Sequence, residues 1–199
     1  MNFGALRVLN DDRVEAGKGF GTHPHKNMEI ISIPLKGKLK HGDSNKNSRT
    51  ITIGDIQTMS AGTGIYHSEM NGSDTEPVEF LQIWVMPEKL NTPPAYRDYD
   101  IRPFLRKNEL ALIVSPDGDA PAKMLQQTWF SIGEIEAGKK IGYHMHQSHA
   151  GVYIFVIEGE VKVDDTVLSR RDGMGVYDTH SFELETLKDS HILLMEVPM

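Results

Sequence analysis

Hydrophobic and polar positions alternate along this chain with a period of two far more often than 3.6. Met28 to Leu35, Val78 to Val85, Leu110 to Val114, Val152 to Ile157 and Ile192 to Val197 are short runs rich in Ile, Val and aromatic residues. Gly, Pro, Asn or Asp bounds each run, the mark of strands separated by turns. β-Branched and aromatic side chains suit a pleated, half-buried surface. No segment sustains a capped amphipathic helix for three turns, so any helix is expected to be short. The pattern predicts an all-β sandwich or barrel.

Prolines concentrate from Pro87 through Pro93-Pro94 to Pro103. Proline cannot donate to a sheet ladder, so residues 91–108 read as an irregular connector between a first half, 1–90, and a second, 109–199. The halves resemble each other. His23-Pro24-His25 precedes an apolar strand, a turn at Gly37, a second strand and Gly54-Asp55. His144-Met145-His146 precedes Val152 to Ile157, then Glu158-Gly159-Glu160-Val161, then Arg171-Asp172. The shared order of His-x-His, strand, Gly turn, strand and Asp-containing turn is an internal duplication.

Composition narrows the function classes. At 39 % hydrophobic and 25 % charged, the chain is that of a globular protein, and its 18 glycines favour turns. The net charge of −7 argues against nucleic acid as a direct partner, since phosphate binding needs a basic surface. The chain has no cysteine, which excludes disulfides, thiolate metal sites and a Cys nucleophile, and fits a reducing cytoplasm. No segment has the apolar length of a membrane span, so no membrane association is expected.

The remaining chemistry is metal binding. Residues i and i+2 of a strand point to the same face. His23 with His25, and His67 with Glu69, can therefore each aim two donors at one point. Two such pairs on neighbouring strands would bring three nitrogens and one oxygen together inside a barrel. That set suits a first-row divalent ion: iron, nickel, copper, manganese or zinc. Gly19 and Gly21 before His23, and Gly62-Thr63-Gly64 before His67, supply tight turns where backbones approach closely. His41 and His191 lack a comparable partner and read as surface or core residues. Glu29 has the strand parity of His25 and is the rival to Glu69 as the carboxylate ligand. In the second half, Ala150 stands where a matching Glu would lie, and His180 falls about two residues short of the expected position, which leaves His144, His146 and His180 as an alternative three-nitrogen site.

These residues carry a specific resemblance. Gly17, His23-Pro24-His25 and Glu29 resemble the first cupin motif, and Gly54 to Glu69 resembles the second in the form particular to the pirin family. Phe3 to Asp12 and Gln82 to Pro87 are further stretches of that kind. The resemblance implies a bicupin, two double-stranded β-helix (jelly-roll) barrels in tandem, with one metal in the first barrel and a structural second barrel. His23, His25, His67 and Glu69 fall at the ligand positions, and iron(II) is the first expectation among the ions above. The implied activity is quercetin 2,3-dioxygenase-type ring cleavage of a flavonol-like substrate with O2, Glu69 serving as general base. Phe20, Met28, Met59 and Trp84 would be pocket walls. The competing class is a non-enzymatic regulator that binds a protein partner according to the redox state of its metal. Pirin-like chains usually carry a further segment ahead of Phe3 that covers the second barrel. Its absence here predicts an exposed sheet edge and hence a homodimer or reduced stability.

Overall fold

The computed structural model describes residues 2–199 and is built almost wholly of strands. In the first half these are β1 (Leu6–Val14), β2 (Gly19–His25), β3 (Glu29–Lys36), β4 (Lys38–Asp43), β5 (Ser48–Thr52), β6 (Asp55–Ser60), β7 (Ile65–Asn71), β8 (Val78–Val85) and β9 (Ala95–Asp100). A single 3-10 turn, Arg102–Phe104, leads into the second half. There follow β10 (Ala111–Ser115), β11 (Ala122–Lys123), β12 (Trp129–Ile135), β13 (Lys140–His144), β14 (Ala150–Glu158), β15 (Glu160–Val163), β16 (Thr166–Ser169), β17 (Gly173–Val176), β18 (Ser181–Thr186) and β19 (Ser190–Pro198).

The duplication is explicit in the topology. The first half pairs β1-β8-β3-β6-β9 over β2-β7-β4-β5. The second pairs β11-β10-β12-β19-β14-β17 over β13-β18-β15-β16. Strand for strand, β1 to β8 recur as β12 to β19 in the same neighbour order, so the protein is a bicupin, two jelly-roll barrels in tandem. The Pro-rich stretch is not wholly irregular. Its prolines flank β9, which pairs antiparallel with β6 from Ala95↔Ser60 to Asp100↔Asp55. Only one edge of an edge strand must donate, so prolines just outside it are tolerated.

The alternation of side chains divides the burial. Ile31 and Ile33 on β3, with Leu81 and Ile83 on β8, face the second half and join Ile113, Phe130, Phe155 and Leu193 in the largest apolar cluster. The two barrels thus share a core between their large sheets. Inside the second barrel lies another dry cluster, including Val152, Ile154, Val161, Leu184 and Leu194. The lumen of the first barrel is different. The inward positions of β3, β6, β7 and β8 carry Ser32, Gln57, His67, Glu69 and Gln82, all buried. Buried polar groups persist only if they find partners or a ligand, and this lumen is where the chemistry concentrates.

Candidate metal centre

Strands β2 and β7 pair antiparallel, which sets His23 opposite His67 and His25 opposite Ile65. Gly19 permits this approach, because a Cβ there would lie 2.5 Å from the Glu69 carbonyl oxygen and the Met70 Cα. On the other side the Gly62 turn is tied down by Asn27 N–H donating to the Gly62 carbonyl and Thr63 N–H donating to that of Thr92, both at 2.9 Å. The three imidazoles converge, with ring centroids 4.4 Å apart for His23 and His67 and 4.8 Å for each pair involving His25. One donor nitrogen from each lies within 4.8 Å of the others.

The ring nitrogens are poised as lone-pair donors. His23 Nδ1–H donates to the Gly21 carbonyl at 2.8 Å, which leaves Nε2 unprotonated in the neutral ring. His25 Nε2 and both nitrogens of His67 are buried without a hydrogen-bond partner. Burial, reinforced by the neighbouring imidazoles, pushes His25 down to about 4 and His67 down to about 3. Neutral imidazoles with orphaned nitrogens fit a divalent transition metal, the usual partner of such a set.

Glu69 is buried beside this triad, but its carboxylate is not one of the groups that meet within that distance. It is held by a tray of donors. Ser32 Oγ–H donates to Oε1 at 2.9 Å, Gln57 Nε2 approaches the same oxygen at 3.3 Å, and Gln82 Nε2 donates to Oε2. The direction of the Gln82 amide is set by Trp84, whose Nε1–H donates to Gln82 Oε1 at 3.2 Å. Burial raises the Glu69 pKa, and the hydrogen bonds from Ser32 and Gln82 draw it partway back. Trp84 also meets His25 edge to face at 4.8 Å. Met28, Met59 and Trp84 share one apolar cluster, whereas Phe20 leans on Phe80 and is largely open to solvent.

Glu29 lies elsewhere. Its Oε2 accepts the backbone N–H of Leu125 in the second half at 3.1 Å. The parity relating Glu29 to His25 requires a continuous strand, but the chain turns at Asn27 (φ 49°) and passes from one sheet to the other.

Comparison with known proteins agrees with this architecture. The family profile Pirin matches residues 1–85, and the Quercetinase C-terminal cupin domain profile matches residues 112–197. The Escherichia coli K12 protein named quercetin 2,3-dioxygenase is 38 % identical over 203 residues, covering 100 % of this chain and 84 % of its own. The chain belongs to the pirin family. The crystal structure of the pirin YhhW from Escherichia coli superposes with a TM-score of 0.93 at 38 % identity, covering 100 % of this chain and 83 % of that one. A second structure of bacterial pirin YhhW, in complex with nickel(II), gives 0.92 at 36 % identity, covering 100 % and 84 %.

Within this pirin the second barrel treats its histidines differently. His146 Nδ1 is bound to the buried Glu196 carboxylate at 2.7 Å, and the same carboxylate accepts Tyr143 Oη–H at 2.9 Å and the His146 backbone N–H at 2.7 Å. His144 and His180 are exposed. Among the described residues these three form no cluster like that of the first barrel. Sequence reasoning missed the tray and one further histidine. His41 is fully buried, its ring 5.4 Å from His67 and stacked on Tyr96 at 4.1 Å, with Nε2–H donating to Asp43 at 3.1 Å. A signal was available for two of the tray's members: Ser32 and Gln82 each interrupt an apolar run at an inward position, whereas Gln57 sits in a mixed strand that gives no such sign.

Proposed function

We propose that this pirin is a metal-dependent dioxygenase that opens the ring of a small flavonol-like aromatic substrate with O2. His23, His25 and His67 are the ligands to one divalent ion, iron(II) in the first instance, with Glu69 completing the set. The observation that carries the reading is the convergence of three imidazoles, two of them (His25 and His67) with buried nitrogens that lack a partner, beside a carboxylate held in a donor tray. Relatives named quercetin 2,3-dioxygenase and a nickel-bound pirin support it.

A bound ion supplies Lewis acidity and redox chemistry toward oxygen. The protein's own groups do the rest. His23 and His25 are partly exposed while His67 is buried, so substrate reaches the site from the β2 side. Met28 and Trp84 give that entrance apolar walls that favour an aromatic ring and exclude water. Burial raises the basicity of Glu69, which suits it to take the proton of the flavonol 3-hydroxyl at a carboxylate oxygen. Ser32 on Oε1 and Gln82 on Oε2 keep the carboxylate from rotating away. With the hydroxyl ionised, the electron-rich ring becomes open to O2 and cleaves with loss of carbon monoxide.

Anaerobic reconstitution with iron(II), followed by oxygen-electrode measurement with quercetin, tests the proposal. Consumption should exceed that of a His67→Ala background and should yield carbon monoxide in step with O2. Uptake no faster than the background would remove the dioxygenase reading.

A further inference from the structure

A groove separate from the imidazole triad opens where the two barrels meet on the β9 side. It has a volume of about 340 Å³ and runs between β9 and the segment from Ala122 to Leu125. Its origin lies in the alternation of β9. Tyr96 faces the first barrel and stacks on His41. Asp98 pairs with Arg49, and Asp100 with Arg102. Arg97 and Tyr99 line the groove, to which Tyr96 also contributes, and Tyr99 rests on the core shared by the halves. Across the groove, Ala122 is buried and so directs Lys123 outward.

The alternation sorts the charges. The groove's lining contains Arg97 and Lys123 and no carboxylate, in a chain whose net charge is −7. Among the described residues neither cation takes part in an ion pair or a side-chain hydrogen bond, while most other surface arginines are engaged. Glu29, bonded to the lining residues Leu125 and Ser60, is 2 % exposed and turned inward. Thr58, Ser60 and Thr92 add uncharged hydroxyls to the wall, and Pro93, Tyr99 and Met124 give it an apolar and aromatic part. Cations focused in a low-dielectric cleft attract anions, and a guanidinium matches a carboxylate two-point. A volume of this order suits a one-ring ligand.

We propose that this groove binds a small aromatic carboxylate, its acid group on Arg97 and Lys123 and its ring between Tyr99 and Met124. The site is separate from the imidazole triad and needs no metal.

Calorimetric titration of the full chain with 3-phenylpropionate, at low salt, tests it. Binding is expected in the wild type and equally in His67→Ala, which rules out capture at the triad. Affinity should fall about tenfold or more in Arg97→Ala/Lys123→Ala. Both side chains are exposed, so that variant should unfold at the wild-type temperature, and Lys123→Glu gives an independent second variant. The neutral 3-phenylpropanamide should bind at least tenfold more weakly, by the same loss of charge-assisted bonds. The proposal is overturned by no heat up to about 10 mM ligand, by equal binding of the amide, or by undiminished binding in the double variant. Displacement by inorganic phosphate as effective as by a second aromatic acid would overturn the ligand class.

Discussion

Gln82 is a side chain whose orientation is decided by its neighbours. Trp84 occupies its carbonyl end, so its amide hydrogens must face Glu69. Replacing it with Leu removes a donor from a buried carboxylate, and leaving such a group short of a partner costs about 1–3 kcal/mol. Gln82→Leu should therefore lower unfolding stability by that amount in urea. It should also weaken metal binding by about 10- to 100-fold, as changes behind a ligand commonly do. Trp84→Phe, which frees the amide to rotate but removes no donor to Glu69, should have a smaller effect of the same sign. His67→Ala should lose more metal affinity than either in a chelator competition, because it removes a donor itself. Equal affinity in His67→Ala and wild type would contradict the assignment of the triad.

At the scale of strands, the close contact of β2 with β7 brings the histidines together. Gly19→Val forces a side chain into the β7 backbone and should cost about 1–3 kcal/mol, with loss of metal binding. Gly21→Val meets nothing within 4 Å and should stay within about 0.5 kcal/mol of wild type. Thermal unfolding of the two variants side by side checks the contrast. The strands themselves were legible from period-two runs such as Val152 to Ile157 and Ile192 to Val197, because side-chain alternation survives in any sheet. The His-x-His pair was legible for the same reason. Less could be read where tertiary placement overrides local pattern. Glu29 shared the parity of His25 on paper, yet after the turn at Asn27 it lies in the other sheet, bonded to Leu125 of the second half. His41 has its hydrogen-bond partner Asp43 two residues on in β4, but its aromatic neighbours come from other strands and left no local sign: Tyr96 from β9 and His67 from β7. β9 was hidden by its flanking prolines, which mark the ends of a strand as readily as its absence.

For the whole molecule, the shared core between barrels is the main source of cohesion. Phe130 is fully buried within it, and Phe130→Ala should cost about 3–5 kcal/mol. Glu29 adds a pH-dependent element to the same junction. Burial raises its pKa above the ordinary 4.5, against the pull of Leu125 N–H and Ser60. An acid whose pKa is raised on folding contributes fully below its unfolded value, and that contribution is lost as pH rises through the folded one. Glu29→Gln, which stays uncharged, should thus gain stability relative to wild type from acid toward neutral pH, with the two converging in acid. Denaturation midpoints across that range give the answer, and a pH-independent difference would count against it.

The contrast between a wet lumen and a dry one has a consequence for how the molecule comes apart. The C-terminal barrel carries its own oily interior, whereas its N-terminal twin has traded much of that filling for amides, imidazoles and a carboxylate. Severed in the stretch after Phe104, the C-terminal fragment should retain cooperative unfolding. Both fragments lose cover over the shared core, but the counterpart, with Ile31, Ile33, Leu81 and Ile83 bared and a polar lumen behind them, should precipitate or bind hydrophobic dyes more readily. The half equipped for chemistry would then be the dependent one, and the half without a triad its chaperone.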